Sequence, residues 1–215
     1  MNENLQIAIH KEPFPHLIIT NLLTSLEVDK IWKEIEYLGF QNFSKDSFTS
    51  AKVTGFADGS VKSKSKYQVI YLDPVFKDIG SSVIGGLTHD LLGQGIFSLL
   101  EQVEPWAGRM PRTLVKISPK INIYNHGDKY ESHNDGSFFT ALLYLHGDPK
   151  PYTGGELCFN DFDCEFACEH NSLILFPGHV NHEVKEVVAI NSINTKNLRT
   201  AINIFFNPPT EQPTP

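Results

Sequence analysis

No apolar run in the chain approaches the 18 or so residues that a helix needs to span a membrane, so an integral helical membrane protein is not expected. Basic residues are in deficit. The 18 Lys and Arg stand against 25 Asp and Glu, a net charge of −7, and the phosphate neutralisation on which general nucleic-acid affinity depends is missing. Neither a basic nor an apolar signal region opens the sequence at Met1-Asn2-Glu3-Asn4, and the expected location is the cytoplasm. Cysteine is scarce: Cys158, Cys164 and Cys168 are odd in number and contain no Cys-x-x-Cys pair. Reduced thiols on neighbouring strands are expected rather than a zinc site or a disulfide. What is present, 215 residues with 40% hydrophobic and 20% charged, suits one domain with a full core.

Taken in order, 15–21 is a short β-rich run, and 25–38 carries Leu26, Val28, Ile31, Trp32, Ile35 and Leu38 at helical spacing behind Thr24 or Ser25 as N-cap. From 41 to 66, Ser, Gly and Lys dominate and offer little apolar surface, so a long loop is expected, either a solvated insertion or a lid over a site. Residues 67–72 return to strand composition. Residues 73–106 read as helical in two pieces, with Asp73 as N-cap before Pro74 and a break near Gly85-Gly86 or within 93–95. His10 and His16 are expected at surface or loop positions, and His89 in a structural helical one. Beyond Pro111, β-prone segments at 138–145, 156–159, 164–169, 172–176, 183–188 and 198–207 alternate with turn residues, among them the Pro/Gly loop at 148–155. Short strands at this spacing indicate a sandwich or jelly roll. The proline-rich tail, 208–215, is expected to be disordered.

Chemistry concentrates in 121–135. A strand containing Ile121 and Ile123 leads into a turn at 125–128, where Asn, Gly and Asp supply turn chemistry, and the stretch ends in His133-Asn134-Asp135. In an extended chain alternate side chains face the same way, so His133 and Asp135 point together and Asn134 away. A neutral imidazole and a carboxylate converging from one strand can hold a divalent metal on one side and leave the other open. That is two thirds of a 2-His-1-carboxylate facial triad.

Further segments extend the pattern. Tyr124-x-x-Gly127-x-x-Tyr130-x-x-His133-x-Asp135 is followed by Gly154-Gly155-Glu156-Leu157, by Phe176-Pro177-Gly178 ahead of His182-Glu183-Val184, and by Arg199 at the head of the run to Phe206. From about 113 to 206 this order resembles the prolyl-4-hydroxylase-like branch of the Fe(II)/2-oxoglutarate-dependent dioxygenases. The resemblance implies a mainly β fold with supporting N-terminal helices, a distorted double-stranded β-helix (jelly roll) with the metal at one open end. The implied layout is a single dioxygenase domain over 1–207, with helical support within 25–106 and the jelly-roll core at 113–207. It implies Fe(II) held by His133, Asp135 and His182, with His179 the competitor for the third place. It implies O2 and 2-oxoglutarate as cosubstrates, with ascorbate as a reductant. Arg199 would bind the far carboxylate of 2-oxoglutarate through its guanidinium fork, Asn203 on the same strand face would add a hydrogen bond, and Tyr124 and Tyr144 would line the pocket, with Tyr130 a weaker candidate. The stretch 191–196 lengthens the usual path to the arginine.

The activity implied is hydroxylation of an unactivated C–H with release of succinate and CO2. Asp135 favours this over halogenation, because halogenating relatives place a small residue there. Lys52, Lys62, Lys64 and Lys66 would favour a small anionic or zwitterionic substrate, amino-acid-like, if their loop closes over the site. Peptidyl-proline is the alternative substrate. Neither nucleic acid nor membrane is an expected partner. A zinc hydrolase or cupin-type metalloenzyme could use the same ligands, but gives no reason for Arg199; a binding module would not need all three ligands.

Overall fold

Thr24 and Glu27 start the first helix with a capping box. The Glu27 carboxylate accepts from the Thr24 N–H at 2.7 Å, and the Glu27 N–H reaches Thr24 Oγ1 at 3.3 Å. In this computed structural model, which describes residues 3–43, 54–55, 61–63, 65–72, 81–93, 96–103, 105, 116–191 and 198–207, the helix spans Ser25–Phe43 and buries Val28, Ile31 and Ile35. It runs past Leu38 into the stretch expected as a loop, since no proline follows to interrupt its hydrogen bonds. The second helix, Val83–Gly93, begins at Ser82, whose Oγ accepts from the Gly85 N–H at 2.7 Å, while Glu34 of the first helix takes the Val83 and Ile84 N–H groups at 2.7 and 3.1 Å. Gly85-Gly86 therefore lies within a capped first turn rather than at a break, and a further helix is Ile96–Val103, with 94–95 outside the described residues. The expected Asp73 cap lies outside the described residues. No described helix is long and apolar enough to cross a membrane.

The rest is mostly strand: β1 (Gln6–His10), β2 (His16–Thr20), β3 (Thr54–Gly55), β4 (Val61–Ser63), β5 (Ser65–Lys66), β6 (Gln68–Tyr71), β7 (Lys116–Tyr124), β8 (Lys129–His133), β9 (Phe139–Leu145), β10 (Tyr152–Gly154), β11 (Leu157–Phe159), β12 (Cys164–Phe166), β13 (Ser172–Pro177), β14 (His182–Val184), β15 (Val187–Ala189) and β16 (Arg199–Asn207). A large sheet in the order β1-β2-β13-β9-β16-β7-β6 faces a smaller one in the order β12-β11-β14-β8-β5, with β10-β15 and β3-β4 as separate pairs. This is the distorted double-stranded β-helix. The outer face of the large sheet packs Leu17, Ile19, Leu143 and Ile202 against Ile31 and Ile35 of the first helix. Its inner face packs Tyr124, Leu142, Tyr144 and Ile174 with Leu157, Phe159 and Val184 of the smaller sheet. Covered on both faces, β9 and β13 are buried at every residue, which is why they read as largely apolar runs.

Several expectations need correction. The run at 183–188 is two strands, β14 and β15, that pair with different partners. The Pro/Gly loop contains β10, and β1 is an additional edge strand. His16 is buried, its Nδ1 donating to the Phe14 carbonyl at 2.9 Å, because β2 sits inside the large sheet between β1 and β13. Within 41–66, β3 pairs with β4, and β5 adds to the His133 strand β8; 44–53, 56–60 and 64 lie outside the described residues. Lys52, Lys64, most of 191–196 and the tail 208–215 lie outside the described residues.

Candidate metal centre

His133 closes β8 and His182 opens β14, and the antiparallel register sets them opposite one another with ring centroids 4.4 Å apart. Each Nδ1 donates to the carbonyl two residues earlier, His133 to Glu131 and His182 to Val180, both at 2.9 Å. That fixes the tautomer and leaves both Nε2 lone pairs facing inward, the arrangement metal-binding histidines need. Asp135 follows just after β8, where its N–H donates to the Gly178 carbonyl at 2.8 Å. Its Oδ1 lies 3.9 Å from His133 Nε2 and its Oδ2 3.6 Å from His182 Nε2. Thr140 Oγ1 donates to Asp135 Oδ2 at 2.6 Å and is itself 2.9 Å from Ser137 Oγ. The three donor atoms lie within 4.8 Å of one another, the one such His/Cys/Asp/Glu group among the described residues. Two imidazoles and a carboxylate with open space on one side suit Fe(II), and a close-packed zinc structural site would need a fourth ligand. His179 is exposed and lines a separate surface depression with Phe14 and Phe162.

Burial and the neighbouring His182 push the His133 imidazole down to about 4, with Asp135 opposing. The ring, stacked on Tyr130 at 3.6 Å, is thus neutral and ready for a metal at ordinary pH. The metal-free protein should lose stability as pH falls from about 6.5 to 4, since over that window the unfolded chain takes up a proton that the folded chain refuses. Denaturant midpoints that stay level across the window would contradict this.

Gly178 is where the two loops meet. Its N–H donates to the Phe138 carbonyl at 3.1 Å, and a Cβ there would collide with the Ser137 hydroxyl and carbonyl. Gly178→Ala should cost about 1–3 kcal/mol by overpacking and weaken metal binding by displacing Asp135. A variant with unchanged melting and unchanged metal affinity would show that the contact is slack.

From the metal cluster a narrow cleft leads along β7 and β16 to Arg199. Arg199 pairs across strands with Tyr124, is 1% exposed, and holds its guanidinium 4.6 Å from the Tyr124 ring and 5.0 Å from that of Tyr144. Its Nη2 donates to Cys168 Sγ at 3.5 Å. Its Nε is left without a partner, as are the buried hydroxyls of Tyr144 and Tyr152. Burial pushes the Tyr124 hydroxyl up to about 12 and raises those of Tyr144 and Tyr152 well above the usual phenol range, so all three stay protonated. A buried guanidinium beside orphaned O–H donors is built for an anion. The Gly154-Gly155 turn makes room for it: both residues are left-handed, with φ of 73° and 72°, and a Cβ on Gly155 would press on Arg199 Cδ at 3.0 Å.

The structure thus brings His133, Asp135 and His182 together in a cleft that Arg199 and Tyr124 also line, while Tyr144, expected to line it, packs against the guanidinium outside the lining. Tyr130 lines it beside His133. Asn203 was expected on the carboxylate at Arg199, but it lies four residues along the strand, about 13 Å by strand rise, opposite Lys120. Residues that sequence reasoning missed are Lys120 and Asn122 in the cleft, Thr140 behind Asp135, and Tyr152 and Cys168 around Arg199. For the first two a signal existed, because Lys120, Asn122 and Tyr124 are the alternate positions of an otherwise apolar strand. Cys168 lies after β12 with φ of 53°, and all three cysteines are free thiols.

Residues 119–207 match the family model of the 2OG-Fe(II) oxygenase superfamily. No curated protein matches the chain. Similar solved structures include a prolyl-4-hydroxylase of Pseudomonas putida, with a TM-score of 0.58 over 89% of this chain and 92% of that one at 14% identity. A prolyl hydroxylase of Trichoplax adhaerens, in complex with a hypoxia inducible factor oxygen degradation domain peptide fragment, gives 0.52 over 90% and 83% at 20% identity. The non-heme alpha ketoglutarate dependent epimerase SnoN from nogalamycin biosynthesis gives 0.53 over 90% and 79% at 11%. At these identities the likeness is one of fold.

Proposed function

We propose, from the premise that this chain is an oxygenase whose core at 119–207 is that of the 2OG-Fe(II) superfamily, that it hydroxylates an unactivated C–H of a small amino-acid-like substrate, consuming 2-oxoglutarate and O2 and releasing succinate and CO2. His133, Asp135 and His182 would hold Fe(II), and Arg199 would take the far carboxylate of 2-oxoglutarate. The observation that carries this is the cleft itself, lined both by three convergent metal donors and by the buried Arg199. Bound iron would supply the redox chemistry between O2, 2-oxoglutarate and the C–H bond, with ascorbate keeping it reduced. The chain's part is positioning. The Glu131 and Val180 carbonyls hold the imidazoles, Thr140 holds the carboxylate, and Tyr124 and Tyr144 sandwich the guanidinium so that its fork stays aimed at a carboxylate. A zinc hydrolase would need none of the Arg199 surroundings.

The small-substrate assignment is favoured by the narrow cleft, flanked by β5 on the edge of the His133 strand. Peptidyl-proline remains the second reading, favoured by the prolyl hydroxylases among the structural neighbours, one of them bound to a peptide fragment. Purified protein supplied with Fe(II), ascorbate, 2-oxoglutarate and O2 should release succinate faster with particular free amino acids than with proline-containing peptides. Stimulation by the peptides alone would put the peptidyl-prolyl reading first.

A further inference from the structure

Lys120 is a cation inside the cleft that no carboxylate among the described residues meets in a direct ion pair. It lines the same cleft as His133 and Asp135, from the facing sheet and beside Asn203, its Nζ sits 4.8 Å over the Phe205 ring, and it makes no hydrogen bond or ion pair among the described residues. Burial lowers its affinity for the proton, and only the carboxylate of Asp135 works against that. A methionine or leucine would cover Phe205 without the desolvation that an ammonium suffers, so the charge calls for a ligand. The polar groups beside it are also incomplete. Asn203 pairs directly across from Lys120, and Asn122 lies two residues along the same strand face. Both Asn side chains are buried with Oδ1 unpartnered. A cation and two orphaned acceptors on one sheet face are the complement of a group carrying a negative and a positive charge a few ångströms apart.

We propose that Lys120, with Asn203 and Asn122, binds the α-carboxylate and α-ammonium of a free amino acid. This rests on the small-substrate reading above and assigns the residues that would select for it. Cosubstrate does not meet the need, because Arg199 and the metal donors already account for the two ends of a 2-oxoglutarate molecule. An internal residue of a peptide carries neither charge, and so would leave Lys120 bare.

The test uses the full-length protein with Fe(II) and 2-oxoglutarate under anaerobic conditions, reading the perturbation of its visible absorbance band by ligand. The probes are the proteinogenic L-amino acids and their carboxamides. At least one free amino acid should perturb the band and bind about thirtyfold or more tighter than its amide, the scale expected for a desolvated charge pair. Lys120→Met should erase that preference by weakening the acid, and Lys120→Arg, which keeps the charge, should retain it and serve as the folding control. Asn203→Leu should reduce discrimination between the amino acid and its N-acetyl derivative. A preference that survives Lys120→Met, a band that forms yet responds to no free amino acid, or a Lys120→Met variant whose main defect is in 2-oxoglutarate binding would each overturn the proposal. Failure of wild-type protein to form the band at all would instead sink the dioxygenase reading.

Discussion

Asp135→Ala should lower Fe(II) affinity by more than about a hundredfold, since even outer groups that only orient a metal ligand are worth 10- to 100-fold, and should abolish succinate release. The carboxylate is the one anionic donor of the cluster, and its Oδ atoms sit 3.6 and 3.9 Å from the two imidazole nitrogens. Without it two neutral rings would face a dication with no charge to balance it. The fold should survive, because the backbone bond from Asp135 to Gly178 is untouched and the side chain is partly exposed. Retention of iron at wild-type affinity in a folded Asp135→Ala protein would remove the carboxylate from the site.

Arg199→Ala should weaken 2-oxoglutarate binding about a hundredfold while leaving Fe(II) binding near wild type. Removing one partner of a buried charge pair costs roughly 2–5 kcal/mol, and about 3 kcal/mol corresponds to that factor. The guanidinium lies between Tyr124 and Tyr144, so its loss also leaves a void between two rings and some loss of stability follows. The two effects separate experimentally, since a packing defect alone would raise the unfolding rate without touching the cosubstrate dissociation constant. An unchanged constant would place the carboxylate anchor elsewhere, with Lys120 as the next cation in the cleft.

The fold was legible wherever local chemistry and burial agree. Thr24 and Glu27 announce a helix start, and β9 and β13, covered on both faces, read as strands from their largely apolar runs. Where tertiary pairing decides, the sequence misleads. Residues 183–188 look continuous, yet β14 joins β11 and β8 while β15 turns away to β10. The serine- and lysine-rich stretch looks like a loop, yet β5 finds a partner in the edge of β8. His133 and Asp135 were read from two-residue periodicity, but the structure ends β8 at His133 and brings Asp135 round through a turn held by Gly178, a long-range contact that spacing does not encode. Lys120 escaped notice because a lysine on a strand is usually solvated, and its neighbours Asn203 and Phe205 come from a strand about eighty residues on in sequence.

The central claim is that His133, Asp135 and His182 form an iron site facing a 2-oxoglutarate pocket. It is tested most directly by anaerobic addition of Fe(II) and then 2-oxoglutarate to wild-type, His182→Ala and His179→Ala proteins, with absorbance read across the visible. A weak charge-transfer band should appear in wild type and in His179→Ala, where the imidazole is exposed and outside the cluster, and should be absent from His182→Ala. A band that persists undiminished in His182→Ala, or is lost only in His179→Ala, would contradict the account.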